Sequence, residues 1–256
     1  MTTPVTPLDV ERAHEDAWYR RAIDERFFDH EGFRGLVAWN VAAFRRLVPL
    51  HDRMTLLSIG SGLGDYELAL APLVQRIVSV ELSPVAATEA RRRIDAAGIS
   101  NVEIITGAID DQAFAPATFD VVYAMGVFHH FLPAQRTALL ARITPWIVPG
   151  GWLYVRDPNA RGWLRRAMEA WFRRRSTMHS PQEASLDPDV LAGELAAAGY
   201  HDIRRDDVDV IAGPLPWLVQ SDSRLLWSVV FGFDALWLAV PPLRRGASQF
   251  ALAARR

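Results

Sequence analysis

Three glycines spaced by two, Gly60, Gly62 and Gly64, follow the apolar run Leu56, Leu57 and Ile59. A strand that ends in such a bend exposes backbone N–H groups, and the missing side chains let a nucleotide-like ligand approach them closely. Seventeen residues beyond Gly64, a second apolar run (Ile77, Val78, Val80) closes on Glu81. A carboxylate at the tip of the neighbouring strand can accept hydrogen bonds from a ribose diol. Bend and carboxylate together point to an enzyme with a nucleoside cofactor. The nicotinamide and flavin pattern Gly-x-Gly-x-x-Gly is not met, because Asp65 stands where its third glycine belongs. Two adjacent histidines, His129 and His130, follow a later apolar run. Either could act as a general base on a hydroxyl near neutral pH; the competing reading is packing against the sheet and bonding to a loop. Neighbouring side chains diverge and no further ligand lies close in the sequence, so no metal is expected.

These residues need a scaffold of alternating strands and helices, and the chain reads that way. Thr6-Pro7-Leu8-Asp9 opens a helix running to about Phe28, and a second covers Phe33 to Leu47. Thr55 to Ile59 is the first strand. Ser83-Pro84 opens a helix that Gly98 closes, and Val102 to Thr106 is a strand. Phe119 to Ala124 is almost continuously apolar, as in a central parallel strand. Pro133 opens a helix toward Ile147, Pro149-Gly150-Gly151 is a turn, and Trp152 to Val155 is a fifth strand. Asp187-Pro188 opens a helix closed by Gly199, and His201 to Ile211 with Gln249 to Ala254 form a final pair of strands. Such alternation favours a doubly wound parallel α/β sheet.

Composition removes several chemistries. The 256 residues suit one moderate domain, and half are hydrophobic. Cys is absent, which excludes disulfides, thiolate catalysis and Cys-ligated metals. All 28 basic residues are Arg, which excludes Schiff-base and P-loop lysine chemistry. A net charge of −2 gives no drive toward nucleic acid or membrane. Met1 to Asp29 is charged and lacks an apolar segment, so no secretory leader is expected and a cytoplasmic location is the simplest one.

Four features in order resemble the class I S-adenosylmethionine-dependent methyltransferases: Ser58-Ile-Gly-Ser-Gly-Leu-Gly64; Glu81; Gly107-Ala-Ile-Asp-Asp111; and Phe119 through His130 followed by Pro149-Gly-Gly151. The resemblance covers about 54–199 and implies a Rossmann-like seven-stranded mixed sheet, with S-adenosyl-L-methionine as cofactor. It implies that the bend, with Gly60, Ser61, Gly62 and Gly64, holds the methionine portion, that Glu81 and Leu82 meet the ribose, and that Ile109 and Asp110 meet the adenine. Met125 and Val127 would line the methyl-donor end, and Tyr19, on an N-terminal helix folded over the cofactor, would touch the methionine carboxylate. The family often has an acid where Ser58 stands and an Asp where Ala108 stands.

Two segments stand apart. Arg161 to Arg175 reads as a basic amphipathic helix, with Trp163, Leu164, Ala167, Met168, Trp171 and Phe172 on one side. It suits a solvated arginine face, an anionic substrate or a membrane surface. Leu225 to Leu243 carries a single charge, Asp234, but Pro241-Pro242 and that central acid argue against a span. It reads as a helical insert capping the active-site mouth, with a lipid contact or a dimer contact as alternatives. The expected organisation is a helical cap over 1–50, a cofactor-binding domain over 51–212 and 247–256, and an apolar lid over 213–246. Selection of a hydrophobic or lipid-like substrate would fall to Trp163, Trp171, Met178, His179, Trp217 and the insert. Methyl transfer to a hydroxyl is the expected reaction, with transfer to carbon or nitrogen open. A docking module without catalysis and a cyclase are the alternatives, no nucleic acid is expected, and the oligomeric state is not readable.

Overall fold

The computed structural model describes residues 6–172 and 184–256. Two helices come first, α1 (Pro7–Asp24) and α2 (Glu31–Leu47). The alternating part then runs β1 (Thr55–Ile59), α3 (Asp65–Leu70), β2 (Arg76–Glu81), α4 (Pro84–Ala96), β3 (Val102–Thr106), β4 (Phe119–Met125), α5 (Pro133–Ile143) and β5 (Ile147–Pro158). It closes with α6 (Trp163–Phe172), α7 (Pro188–Ala197), β6 (His201–Asp209), α8 (Arg224–Ala239) and β7 (Gln249–Arg255). The strands make one mixed sheet in the order β3-β2-β1-β4-β5-β7-β6. β7 is antiparallel to both its neighbours, and the other pairs are parallel.

Both faces of the sheet are covered, which is why β4 has no polar alternation. Leu57, Ile59, Val122 and Ala124 pack on one side against α5 and α7, through Leu139, Leu140, Leu191 and Leu195. Leu56, Val121 and Tyr123 pack on the other with Val41, Phe44 and Leu47 of α2. The first of the two N-terminal helices is held by a proper N-terminus: Thr6 Oγ1 accepts from the Asp9 N–H, and the Asp9 carboxylate accepts from the Thr6 N–H.

Several boundaries differ from the sequence reading. α1 stops at Asp24 rather than near Phe28, because Arg26 takes a left-handed φ of 52° and Phe27 N–H bonds back to Ala22. The helix from Pro133 ends at Ile143, and Ile147 already belongs to β5. Pro149-Gly150-Gly151 is not a turn between elements but a bulge inside β5: Phe119 pairs with Ile147 and Val121 with Trp152, so β5 carries three extra residues. Gly150, at φ 78°, makes that bulge possible.

The segment 225–243 does form a helix, α8, followed by a tight turn at Pro241–Gly246. Its central acid is a backbone cap. Asp234 is fully buried and accepts from the N–H groups of Val210, Ile211 and Ala212, which leave the end of β6. Trp227 and Phe231 seat α8 on α2 over Gly32 and Gly35; a Cβ at either glycine would lie 2.4 Å from the aromatic ring. No helix among the described residues is long and apolar enough to cross a membrane. Of the basic segment, Trp163–Phe172 is the helix α6, whereas Arg173, Arg174 and Arg175 lie outside the described residues, as do Met178 and His179.

Candidate active site

The strand tips of β1, β2 and β4 and the inner face of α1 surround a cavity of about 570 Å³. Its floor begins where β1 ends. Gly60 is at φ 76° and Gly62 at φ 53°, conformations that exclude most other residues. Space excludes them as well: a Cβ on Gly60 would sit 2.7 Å from Val127 Cγ2, and one on Gly62 would sit 2.9 Å from the Tyr19 hydroxyl. Ser61 lies on the wall between them, and its buried Oγ has no hydrogen-bond partner among the described residues.

Glu81 ends β2 directly beside this bend. One carboxylate oxygen accepts from the Gly62 N–H and the other from the Ser83 N–H, each at 2.8 Å. The two bonds occupy about half of the carboxylate's acceptor capacity. Burial pushes the carboxyl up from 4.5 to about 7, against the pull of those N–H groups. Gly107 N–H bonds to the Glu81 carbonyl, and Ala108, Ile109 and Asp110 continue the wall from the end of β3. Met125, Gly126 and Val127 supply it from the end of β4.

α1 closes the cavity from above. Ser83 Oγ donates to Asp16, which ties the helix to the start of α4. Tyr19 reaches the glycine bend, and burial pushes its phenol well above its ordinary value. Trp18, Phe28, Phe33 and Trp217 pack ring against ring with centroids 4.7–5.9 Å apart and make an aromatic wall.

The two histidines have separate carboxylate partners. His129 Nδ1 lies 2.6 Å from Asp157 Oδ1, and Asp157, near the end of β5, is wholly buried. An ionised carboxylate only accepts, so the ring proton sits on Nδ1 and Nε2 is the nitrogen open to a substrate. His130 Nδ1 lies 2.8 Å from Glu11 of α1. Glu15 joins them, and donor atoms of Glu11, Glu15 and His130 fall within 4.8 Å of one another. The expectation that no further metal-ligating side chain lies near the pair is therefore corrected: the fold brings two carboxylates from a helix about 119 residues away.

Of the residues singled out in the sequence, Tyr19, Gly60, Ser61, Gly62, Glu81, Leu82, Ile109, Asp110, Met125, Val127, His129 and His130 all face the cavity. Gly64 does not. It caps α3 at φ 80° and packs against α4, where a Cβ would lie 3.2 Å from Ala90. Of the segment 213–246 expected to cover the cavity, Gly213, Pro214 and Trp217 line it, whereas no residue of 225–243 lies on the wall. Trp163 is outside the wall, and the Trp171 side chain is beyond the described residues. Glu67 is an acid near Ser58, but burial pushes its carboxyl up, it accepts from Ser79 and Tyr123, and it is not on the cavity wall. Sequence reasoning missed Asp157, Arg156, Glu11 and Gln249, which the fold places on or behind the wall. The signal available for the first two was a charged pair, Arg156-Asp157, ending the apolar run of β5.

The glycine bend, the carboxylate beside it and the orphan hydroxyl of Ser61 form a cradle that fits an adenosyl-methionine cofactor. Residues 56–151 match a protein family described as a methyltransferase domain. Residues 56–151 are thus a methyltransferase domain, set in a sheet with the class I strand order. Among solved structures it resembles a putative methyltransferase of Haloferax volcanii in complex with the Trm112 methyltransferase activator, at 18% identity over 94% of this chain and 96% of that one, with a TM-score of 0.66. It also resembles phosphoethanolamine N-methyltransferase 2 of Haemonchus contortus in complex with S-adenosyl-L-methionine, at 17% identity over 85% of this chain and 52% of that one, with a TM-score of 0.59. A curated relative, protein-L-isoaspartate O-methyltransferase 1 of Polaromonas, is 39% identical over 67 residues. That match spans 26% of this chain and 28% of the relative. The structural likenesses, all below 25% identity, speak for the fold alone.

Proposed function

We propose that this methyltransferase methylates a hydroxyl group of a hydrophobic small molecule, a natural product or a lipid-like compound, with His129 as general base. The observation that carries the reading is the pairing of His129 Nδ1 with the buried Asp157 at 2.6 Å, next to the strand tip that holds Met125 and Val127. Bound S-adenosylmethionine would supply an electrophilic methyl group, and its sulfonium sulfur would become a neutral thioether on transfer.

The chain's own residues do the rest. Glu81 keeps lone pairs for the two ribose hydroxyls while Gly62 and Ser83 hold its orientation. Ile109 and Asp110 would hold the adenine, and Gly60 to Gly62 would admit the methionine end. Asp157 fixes the proton of His129 on Nδ1, so the Nε2 lone pair receives the acceptor's hydroxyl proton. The same carboxylate then stabilises the imidazolium. The aromatic wall of Trp18, Phe28, Phe33 and Trp217 excludes water and aligns an apolar acceptor.

Calorimetric titration with S-adenosylmethionine is expected to show micromolar binding. A panel of hydroxylated aromatic and lipid-like acceptors, read by product mass, is expected to gain one methyl group, and His129→Ala is expected to lose that gain while keeping cofactor affinity. Unchanged activity in His129→Ala would reject the base assignment. Methyl gain on amine acceptors with none on hydroxyls would reject the acceptor class.

A further inference from the structure

The outer face of α8 carries an apolar stripe that the fold leaves uncovered. Trp227, Val230 and Asp234 point inward. Leu225, Val229, Leu236 and Val240 recur at spacings of four, seven and four on the opposite side, with Leu226 and Phe233 beside them. Leu225 is 77% exposed, Leu236 74% and Val229 62%. The single charge between Leu225 and Val240 is Asp234, which is buried on the Val210, Ile211 and Ala212 N–H groups. The outer face is therefore free of charge from Leu225 to Ala239, a length of about 22 Å, and Arg224 at the first position of α8 pairs with Glu31.

One end of the stripe is basic. Arg244 and Arg245 are exposed just after α8; Arg244 Nε donates to the Leu238 carbonyl at 2.6 Å, and neither guanidinium is in an ion pair among the described residues. Trp163 of α6, half exposed, leans on the same end. Its ring centroid is 6.2 Å from that of Trp237, and its Nε1 lies 3.0 Å from where a Cβ on Gly246 would be. Arg166, exposed, follows three residues later on α6.

We propose that this face docks on an anionic lipid surface, with α8 lying flat, the stripe at the acyl boundary and Arg166, Arg244 and Arg245 among the phosphates. A large apolar patch rimmed by cations and an indole is the pattern of an interfacial helix. Spanning is excluded for α8 by its length and by Asp234, which ties it to the end of β6. Charge selects lipid over a second copy of the chain: the arginine end needs anions, and the carboxylates at the far end of the stripe, Glu31 and Asp222, are already paired with Arg34 and Arg224. The proposal rests on this surface alone, whatever the methyl acceptor, and its test reads binding rather than methyl transfer.

The full chain is mixed with vesicles of equal parts phosphatidylcholine and phosphatidylglycerol, or of phosphatidylcholine alone, and the bound fraction is measured by sedimentation. Light scattering reports the mass in buffer, and thermal melts check folding. Wild type is expected to bind the anionic vesicles, less so as salt rises. The exposed double substitution Leu225→Glu with Leu236→Glu is expected to weaken that binding at least about tenfold. Arg244→Ser with Arg245→Ser is expected to weaken it about tenfold and to abolish the preference for anionic over neutral vesicles. Failure of wild type to bind anionic vesicles overturns the proposal. So does binding that both variants leave intact, or a dimer in buffer that the glutamates split, which would assign the stripe to a second copy.

Discussion

Glu81→Gln separates what the cofactor site does from what it costs the fold. The carboxyl is 5% exposed, and burial raises it from 4.5 to about 7. That rise corresponds to roughly 3 kcal/mol in favour of the neutral form. The sign follows from proton linkage. Between about pH 4.5 and 7 the folded chain holds a proton that the unfolded chain has released, so the stability this group contributes is present below 4.5 and is lost as pH rises through 7. Glutamine has no such titration. Its oxygen can accept from either Gly62 or Ser83, but its NH2 group faces the other N–H, a loss of about 1 kcal/mol. The variant should therefore be slightly less stable than wild type at pH 4.5 and about 2 kcal/mol more stable at pH 8, where its melting point should be roughly 4–8 °C higher. Cofactor affinity should fall at least about tenfold at pH 8, because a charge-assisted bond to the ribose is lost. Urea unfolding of both proteins at the two pH values, with S-adenosylmethionine titrations at the higher one, measures each quantity. Parallel stability profiles would refute the argument, since they would mean that Glu81 is not a buried anion in the folded protein.

Three further outcomes are expected. His129→Ala should lower kcat by roughly 10²–10⁴-fold, and Asp157→Asn should lower it while altering the pH–rate profile, with cofactor affinity unchanged in both; steady-state kinetics and calorimetry read the two effects separately. Gly60→Ala places a Cβ 2.7 Å from Val127 Cγ2 at φ 76°. A left-handed alanine costs about 1–2 kcal/mol before that clash, so both the melting point and cofactor affinity should drop. Asp234→Ala strands the N–H groups of Val210, Ile211 and Ala212. At about 1 kcal/mol or more for each, the loss should reach roughly 3 kcal/mol, visible as a melting point lower by about 6–12 °C, and Asp234→Asn should lose less.

Much of the strand-tip wall of the cavity is legible in the sequence. The bounds of β1 and β3, the helix openings at Pro7, Pro84, Pro133 and Pro188, and the placement of Gly60, Gly62 and Glu81 at two strand tips all came through. Each rests on a local cause: an apolar run, a proline at the first turn, a glycine where φ must be positive. The acceptor half was less legible. The sequence named His129 and His130 but not Asp157 and Glu11, which lie 28 and 119 residues away from their partners. An apolar stretch such as 225–243 says that something will be covered without saying what, and the fold sets its inner side on α2.

By itself, then, the sequence determined which elements form and where their chemical residues sit along them, since strand period, helix caps and glycine conformations act over a few residues. Only the tertiary structure decided which tips share a cavity, that β7 inserts between β5 and β6, that Gly64 packs on α4 instead of the cavity, and that Asp234 folds inward while the leucines of α8 face out. Those outcomes depend on packing between segments far apart in the chain, where no local preference favours one partner over another.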